Sequence, residues 1–230
     1  MKKFYVLLVV CLSVVTLSNA QTYYWIGPSS GNWNSGSNWS FSSGGGAAGS
    51  FPNNVAHNAV FDQNALVNVN VGAIDLNTLT VTNNATAKLY TSITAGIQLR
   101  STSAVNLALR INAGSRLEDS VDADVSFSIA LSDNSKGVVD GTWYFAGRTS
   151  VSLTGSNGAQ YFIPSVGTTR LDVNGTIHHR PNSLPLNSST TQGYIFFNAG
   201  STFWLDLNGS NTPFATWNTT STILFTRISL

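Results

Sequence analysis

An all-β fold is the class that this sequence predicts, and three observations predict it. Short runs in which apolar and polar residues alternate recur from Leu66 onward, and each run places every second side chain on one face of a strand. Turn-forming Asn, Asp and Gly residues separate these runs. Strong helix formers are scarce, since the 230 residues include one glutamate and four lysines. Within this class we expect a right-handed parallel β-solenoid with an N-terminal aromatic cap. The alternative is a β-sandwich.

Residues 1–20 have the three parts of a secretory signal peptide. Lys2 and Lys3 form a basic start, residues 4–17 are apolar, and a small-residue site ends at Ala20. The apolar run is shorter than the ~20 residues that a membrane-spanning helix requires. We therefore expect a secreted chain that begins at Gln21 and does not insert into a membrane after cleavage.

Residues 21–62 are rich in tryptophan and glycine and form the predicted cap. Trp25, Trp33 and Trp39 are separated by glycines and polar residues, which indicates a ring cluster held by tight turns or a face exposed for binding. Sugar rings stack on flat aromatic faces, so these tryptophans are candidate carbohydrate-binding residues. We favour the other interpretation, in which the indoles cover the end of the β stack as an apolar plug.

Residues 63–180 form the predicted solenoid body, and residues 181–230 continue it. Alternating apolar positions define the expected strands, which are Leu79/Val81, Val105/Leu107/Leu109/Ile111, Val125/Phe127/Ile129/Leu131, Val151/Leu153, Leu171/Val173, Ile195/Phe197 and Phe203/Leu205/Leu207. The turns expected between them favour left-handed backbone positions and lie at Asn83-Asn84, Asn112-Ala113-Gly114, Asp140-Gly141, Asn157-Gly158, Asn174-Gly175 and Asn208-Gly209.

Two internal sequence repeats favour stacked strands over a sandwich. Residues 111–119 resemble residues 197–206, and residues 139–143 resemble residues 173–177. A turn-and-strand unit that recurs at variable spacing fits a coil whose strands stack on one another. Hairpins in a sandwich would also contain Asn-Gly turns. Residues 223–228 are apolar and are not followed by a polar closing segment, so we expect the chain to be part of a longer protein.

The aromatic segment resembles the N-terminal region of large secreted surface proteins of Bacteroidetes. The similar residues are Tyr23-Tyr24-Trp25-Ile26-Gly27, Gly31-Asn32-Trp33, Asn38-Trp39-Ser40, Gly44-Gly45, Pro52 and Val60-Phe61-Asp62, with a second similarity at residues 200–203 and 213–218. This resemblance implies export, often by the type IX route, β-solenoid or adhesin-like bodies, and an adhesive or scaffolding role. The family usually has an acidic residue where this chain has His57, and no type IX sorting domain is recognisable at the C-terminus.

The acidic residues Glu118, Asp119, Asp122 and Asp124 form the one candidate site for catalysis. Parallel β-helix enzymes that cleave polysaccharides use grouped carboxylates as acid, base or calcium ligands. A solvated turn is the simpler interpretation, because all four residues lie in one short segment.

The remaining composition argues against other classes of function. Removing Lys2 and Lys3 leaves no basic excess, which disfavours nucleic acid as a partner. Cys11 is the only cysteine and lies in the signal peptide, so thiolate ligands are excluded in the mature chain. His178 and His179 are adjacent and point to opposite faces of a strand, so we expect no metal site and no cofactor.

These observations predict a secreted, structural or adhesive β-solenoid segment of a bacterial cell-surface or extracellular protein, without catalysis. Its expected partners are glycans or other cell-surface components and further domains of the same chain. The alternatives are a polysaccharide-active β-helix enzyme, either a lyase or a hydrolase, and a carbohydrate-binding module.

Overall fold

The computed structural model describes most of the chain from residue 20 onward. The described residues are 20–28, 30–103, 105–121, 125, 127–132, 134–146, 160–164, 169–179, 194–206 and 215–226. Of the predicted signal peptide, all but Ala20 lies outside these ranges, as do the expected strand Val151/Leu153 and the turns at Asn157 and Asn208.

The protein is all-β. One 3-10 helix, Gly36–Asn38, is the only helical element among the described residues, and none of them forms a helix long and apolar enough to cross a membrane. The strands are β1 (Gln21–Trp25), β2 (Gly31–Asn32), β3 (Trp39–Ser40), β4 (Asn54–Phe61), β5 (Ala65–Asn68), β6 (Ala73–Val81), β7 (Thr86–Thr91), β8 (Ala95–Leu99), β9 (Leu109–Ile111), β10 (Arg116–Val121), β11 (Phe127–Leu131), β12 (Lys136–Val139), β13 (Thr142–Phe145), β14 (Gln160–Pro164), β15 (Arg170–Val173), β16 (Thr176–His179), β17 (Ile195–Phe197), β18 (Thr202–Leu205), β19 (Thr216–Trp217) and β20 (Thr222–Phe225).

The strands form two sheets in which neighbouring strands run parallel. The short sheet has eight strands in the order β2-β5-β7-β10-β13-β16-β18-β20, and the long sheet has twelve. In the long sheet, β6 pairs with β8 through its first half and with β9 through its second half. The exception to parallel pairing among the described strands is β1 with β3, which are antiparallel. Parallel pairing differs from the antiparallel hairpins that the sandwich alternative predicts.

The register of the short sheet aligns equivalent positions of successive strands in columns. Successive positions along each strand belong to columns that point alternately into the protein and out of it. One inward column contains Ala65, Ala87, Leu117, Trp143, Ile177 and Phe203, all of which are buried. An outward column beside it contains Thr86, Arg116, Thr142, Thr176, Thr202 and Thr222.

The turns of the two internal sequence repeats lie at one corner of the structure. Asn112 and Asn198 each begin a turn in which the following glycine, Gly114 or Gly200, has φ of +77°. The shorter turns at Gly141 and Gly175 do not use left-handed backbone, contrary to expectation. Glycine is required there because a Cβ on Gly175 would contact the carbonyl oxygens of Asp140 and Gly141 in the turn below.

The predicted strand Val105/Leu107/Leu109/Ile111 is wrong at its first half. The strand begins at Leu109, and Val105 lies in a loop with 83% of its surface exposed. The hydroxyl of Ser103 accepts the backbone N–H groups of Val105 and Asn106 at 3.2 and 3.1 Å. Such local bonds stabilise a turn in competition with a strand.

Candidate functional site

The three tryptophans of the N-terminal segment form a buried cluster with Phe61. Trp25 ends β1, Trp39 begins β3, and Trp33 follows β2; all three have no exposed surface. The ring centroid of Trp39 lies 5.1 Å from that of Trp25, 4.9 Å from that of Trp33 and 5.6 Å from that of Phe61. Edge-to-face contacts of this kind stabilise a core beyond the area that they bury.

Hydrogen bonds and glycines hold the cluster in place. The indole N–H of Trp33 donates to the carbonyl of Pro52 at 2.9 Å, and that of Trp39 donates to the carbonyl of Trp33 at 2.8 Å. A Cβ on Gly27 would approach the indole of Trp25 to 2.5 Å, which is closer than real contacts allow. Gly27 therefore allows the close packing of the Trp25 ring. Because the indoles are buried, none presents a face on which a sugar ring could stack.

The two acidic candidates that the structure describes do not lie on one face. Glu118 and Asp119 are neighbours on β10, so their side chains point to opposite faces of the short sheet. Asp122 and Asp124 lie outside the described residues. Of the four residues, Glu118 is on the outer face and Asp119 is in the core.

Glu118 is paired with cations on the outer face. Its Oε2 atom lies 3.2 Å from the guanidinium of Arg116 and 3.9 Å from Nζ of Lys88. Arg116 in turn lies over the ring of Tyr144, with its Cζ atom 4.2 Å from the centroid. Sequence reasoning did not identify Arg116 or Tyr144 as partners, although Arg116 is two residues away and on the same face of the strand.

An aromatic column continues from Tyr144 along the outer face. His178 stacks on Trp204 with centroids 4.1 Å apart and planes 6° from parallel, and its other neighbour in the column is Tyr144 at 4.5 Å. Nε2 of His178 lies 2.8 Å from Oδ2 of Asp206. The flat faces of the imidazole are covered by the neighbouring rings, so it presents an edge to solvent.

The inner face of the same strands carries two buried ionisable groups. Asp119 and His179 lie in one inward column, with Phe145 between them. Burial raises the pKa of Asp119 well above its usual value, while a hydrogen bond from the indole of Trp143 at 3.2 Å opposes the rise. Burial and the neighbouring His178 lower the pKa of His179 to about 4, and Asp206 acts in the opposite direction.

The positions of the histidine and carboxyl side chains limit the chemistry that they can carry out together. His178 and His179 face opposite sides of β16, and the described residues contain no group of three or more His, Cys, Asp or Glu side chains suited to a metal ion. Glu118 and Asp206 are three strand spacings apart, about 14 Å at the usual spacing of parallel strands. Glycoside hydrolysis requires carboxyl groups about 5 to 9.5 Å apart.

The outer column that contains Glu118, Tyr144, His178 and Trp204 could have been predicted by aligning the two internal sequence repeats. Superposing residues 140–142 on 174–176 places Tyr144 beside His178, and superposing residues 112–115 on 198–201 places Glu118 in the column of Trp204. The second superposition also aligns Asp119 with Leu205, and Asp119 lies two residues from Leu117 on the same face of the strand, so the sequence indicates its burial although its immediate neighbours are polar.

Comparison of the chain with protein-family models, curated proteins and solved structures gave no match.

Proposed function

We propose that this chain is a secreted structural or adhesive segment of a bacterial cell-surface or extracellular protein and has no catalytic activity. The observation that carries the proposal is the ladder on the outer face of the short sheet. There Glu118 pairs with Arg116, Arg116 covers Tyr144, and His178 stacks between Tyr144 and Trp204. Side chains that satisfy one another along the stack stabilise it and leave few groups directed at a substrate.

We further propose that the strands coil as a right-handed parallel β-solenoid capped by the tryptophan cluster. The chain order supports this, because β7, β10, β13, β16, β18 and β20 of the short sheet are separated along the sequence by strands of the long sheet. Crossover connections between parallel strands are nearly always right-handed. The buried indoles beside β1 and β4 fit a cap that covers the first strands.

Adhesion is the more specific part of the proposal, with glycans or other cell-surface components as partners. The mature chain has little charge, and Asn, Ser and Thr are its most frequent polar residues. Neutral polar groups of this kind form hydrogen bonds with hydroxyl-rich partners. The resemblance of the N-terminal segment to secreted Bacteroidetes surface proteins supports the same location.

Secretion is tested by expressing the full chain and a variant without residues 1–20 in a Bacteroidetes host. We expect the full chain to be protease-accessible on intact cells or present in the medium, with an N-terminus at Gln21 by mass spectrometry. The truncated variant should remain inside the cell. A full chain that stays in the cytoplasm with Met1 intact would contradict the proposal.

Catalysis and adhesion are tested on the mature protein. We expect no release of reducing ends or unsaturated products from a panel of polysaccharides, and measurable retention of the protein on a glycan array or on whole cells. Polysaccharide turnover that disappears in Glu118→Gln but persists in the surface control Asp75→Asn would support the enzyme alternative instead.

A further inference from the structure

The surface of the N-terminal segment carries an exposed aromatic ring. Phe41 follows β3, and 50% of its surface is exposed. Its ring centroid lies 5.2 Å from that of Tyr23, which is 4% exposed. Tyr23 therefore supports Phe41 from the core side, and the remaining surface of the Phe41 ring meets solvent.

A closed loop fixes the position of Phe41. Ser40 pairs with Ala47 in an antiparallel bridge, and the N–H group of Gly45 donates to the carbonyl of Ser42 at 3.0 Å. The loop is tight, because a Cβ on Gly45 would collide with the hydroxyl group of Ser42. A ring that is held in place in this way loses little conformational freedom when a ligand binds to it.

His57 is a second ring that packs on Tyr23, with centroids 4.9 Å apart. Its Nδ1 atom accepts the backbone N–H group of Asn53 at 3.2 Å, so the proton of the imidazole is on Nε2. Burial lowers the pKa of His57 below its usual value, and the neutral form therefore predominates at pH 7. We refer to Phe41, Tyr23 and His57 as the ring patch.

The surroundings of the ring patch are polar and uncharged. Residues 21–61 contain no Asp, Glu, Lys or Arg side chain. Ser42 and Ser43, which follow Phe41, are exposed, and so is Asn53 beside His57. Phosphate or carboxylate groups are bound by cationic side chains, which this segment lacks. Hydroxyl and amide groups instead suit an uncharged, hydroxyl-rich ligand.

The exposed apolar area is the size of a sugar ring and too small for a protein interface. Half of the roughly 200 Å² of a phenylalanine side chain is about 100 Å². Val55, with 52% of its surface exposed, is the other exposed large apolar residue described in the segment. Both together stay well below the roughly 800 Å² that each partner buries in a stable protein complex.

We propose that the ring patch is a binding site for an uncharged glycan. One sugar ring lies against the exposed part of Phe41, as apolar C–H groups pack on aromatic faces. The hydroxyl groups of the sugar bond to polar side chains beside the patch, Ser42 among them. The inference rests on the proposed adhesive function and assigns to it a class of ligand and a site.

Affinity electrophoresis of the mature protein is the first test, in native gels that contain xylan, mannan or mixed-linkage glucan, with alginate as the acidic comparison. We expect retardation by at least one of the three uncharged polymers and none by alginate. Retardation by alginate alone would overturn the proposal, as would migration that none of the uncharged polymers changes.

Substitutions of Phe41 test the site. Phe41→Ala should raise the dissociation constant for the retarding polymer at least about fivefold, because the stacking surface is lost. Phe41→Trp keeps a flat ring and should retain binding. Ile93→Ala is the matched control, since Ile93 is 41% exposed and lies outside the segment, and it should bind as wild type does. Near-UV circular dichroism of each variant should match that of wild type. Binding that Phe41→Ala leaves unchanged would overturn the site.

Retention on whole cells separates this inference from the proposed adhesive function. We expect wild type to be retained on cells, and both periodate treatment of the cells and Phe41→Ala to reduce that retention. Retention that survives periodate but is lost after protease treatment of the cells would assign adhesion to a protein partner. The glycan site would then be wrong while the adhesive function held. A protein that is not retained on any cells or polymers would contradict both.

Discussion

The indole of Trp143 donates its N–H group to Oδ1 of Asp119 across 3.2 Å inside the core of the short sheet. The two residues lie on neighbouring strands, β13 and β10, and both are buried. A carboxyl group at this position lacks solvent, and Glu118 beside it adds like charge. Burial therefore shifts this carboxyl group toward its neutral form.

Asp119→Asn should stabilise the protein at neutral pH. Because the pKa of Asp119 is raised on folding, its contribution to stability is greatest below the unfolded value of about 4 and falls as pH rises above it. An amide keeps an acceptor for Trp143 and carries no charge. We expect a gain on the order of 1 to 2 kcal/mol at pH 7, measured by urea denaturation.

The control for this variant is Asp75→Asn, which removes an exposed ion pair with Arg100. Such pairs contribute roughly 0 to 1 kcal/mol, so Asp75→Asn should change stability little or lower it slightly. A lower stability of Asp119→Asn than of wild type at pH 7 would show that the buried carboxylate is ionised and satisfied.

His179 should destabilise the protein in acid. Its pKa is lowered to about 4 on folding, so stability is lost as pH falls below the unfolded value of about 6.5 and the loss is complete below about 4. The full difference is about 3 kcal/mol. His179→Gln should show a shallower decline between pH 6.5 and 4 in denaturation experiments. An NMR titration that places the His179 midpoint near 6.5 would contradict this expectation.

Trp39 should be a main contributor to the stability of the N-terminal segment. It contacts Trp25, Trp33 and Phe61 and is fully buried. Trp39→Ala should cost roughly 3 to 5 kcal/mol, because it leaves a large cavity and unpairs the carbonyl of Trp33. Phe41→Ala is the nearby control, because 50% of the surface of Phe41 is exposed and the loss of its side chain should cost less than about 1 kcal/mol. Equal losses of stability in Trp39→Ala and Phe41→Ala, measured by thermal denaturation, would argue against the buried cluster.

Gly175 should not tolerate a side chain. Gly175→Ala places a Cβ against the backbone of the preceding turn at Asp140 and Gly141, so the two turns must separate. We expect a loss of about 1 to 3 kcal/mol, as for overpacked sites. Gly46→Ala is the control, because a Cβ on Gly46 would meet nothing within 4 Å and the φ angle there is not left-handed. That substitution should be neutral or slightly stabilising. Equal changes in the free energy of unfolding of the two variants, measured by chemical denaturation, would contradict the close contact at Gly175.

Much of the strand pattern could be predicted from local sequence. Leu171/Val173 and Phe203/Leu205 occupy every second position and form the buried faces of β15 and β18, as expected. Val105 belonged to an equally regular run but lies in a loop, where the hydroxyl group of Ser103 accepts hydrogen bonds from the backbone N–H groups of Val105 and Asn106. Periodicity describes which face a side chain would take in a strand and does not exclude a competing turn.

The amino-acid sequence by itself determined the all-β class and the alternation of strands and turns, since these depend on side-chain type and on spacing within a few residues. Only the tertiary structure decided that Glu118 and Asp119 have different partners, that the tryptophans turn inward, and that His178 stacks on Trp204. These outcomes depend on the pairing register between strands distant in the sequence. A shift of one residue would exchange the inner and outer faces of every strand.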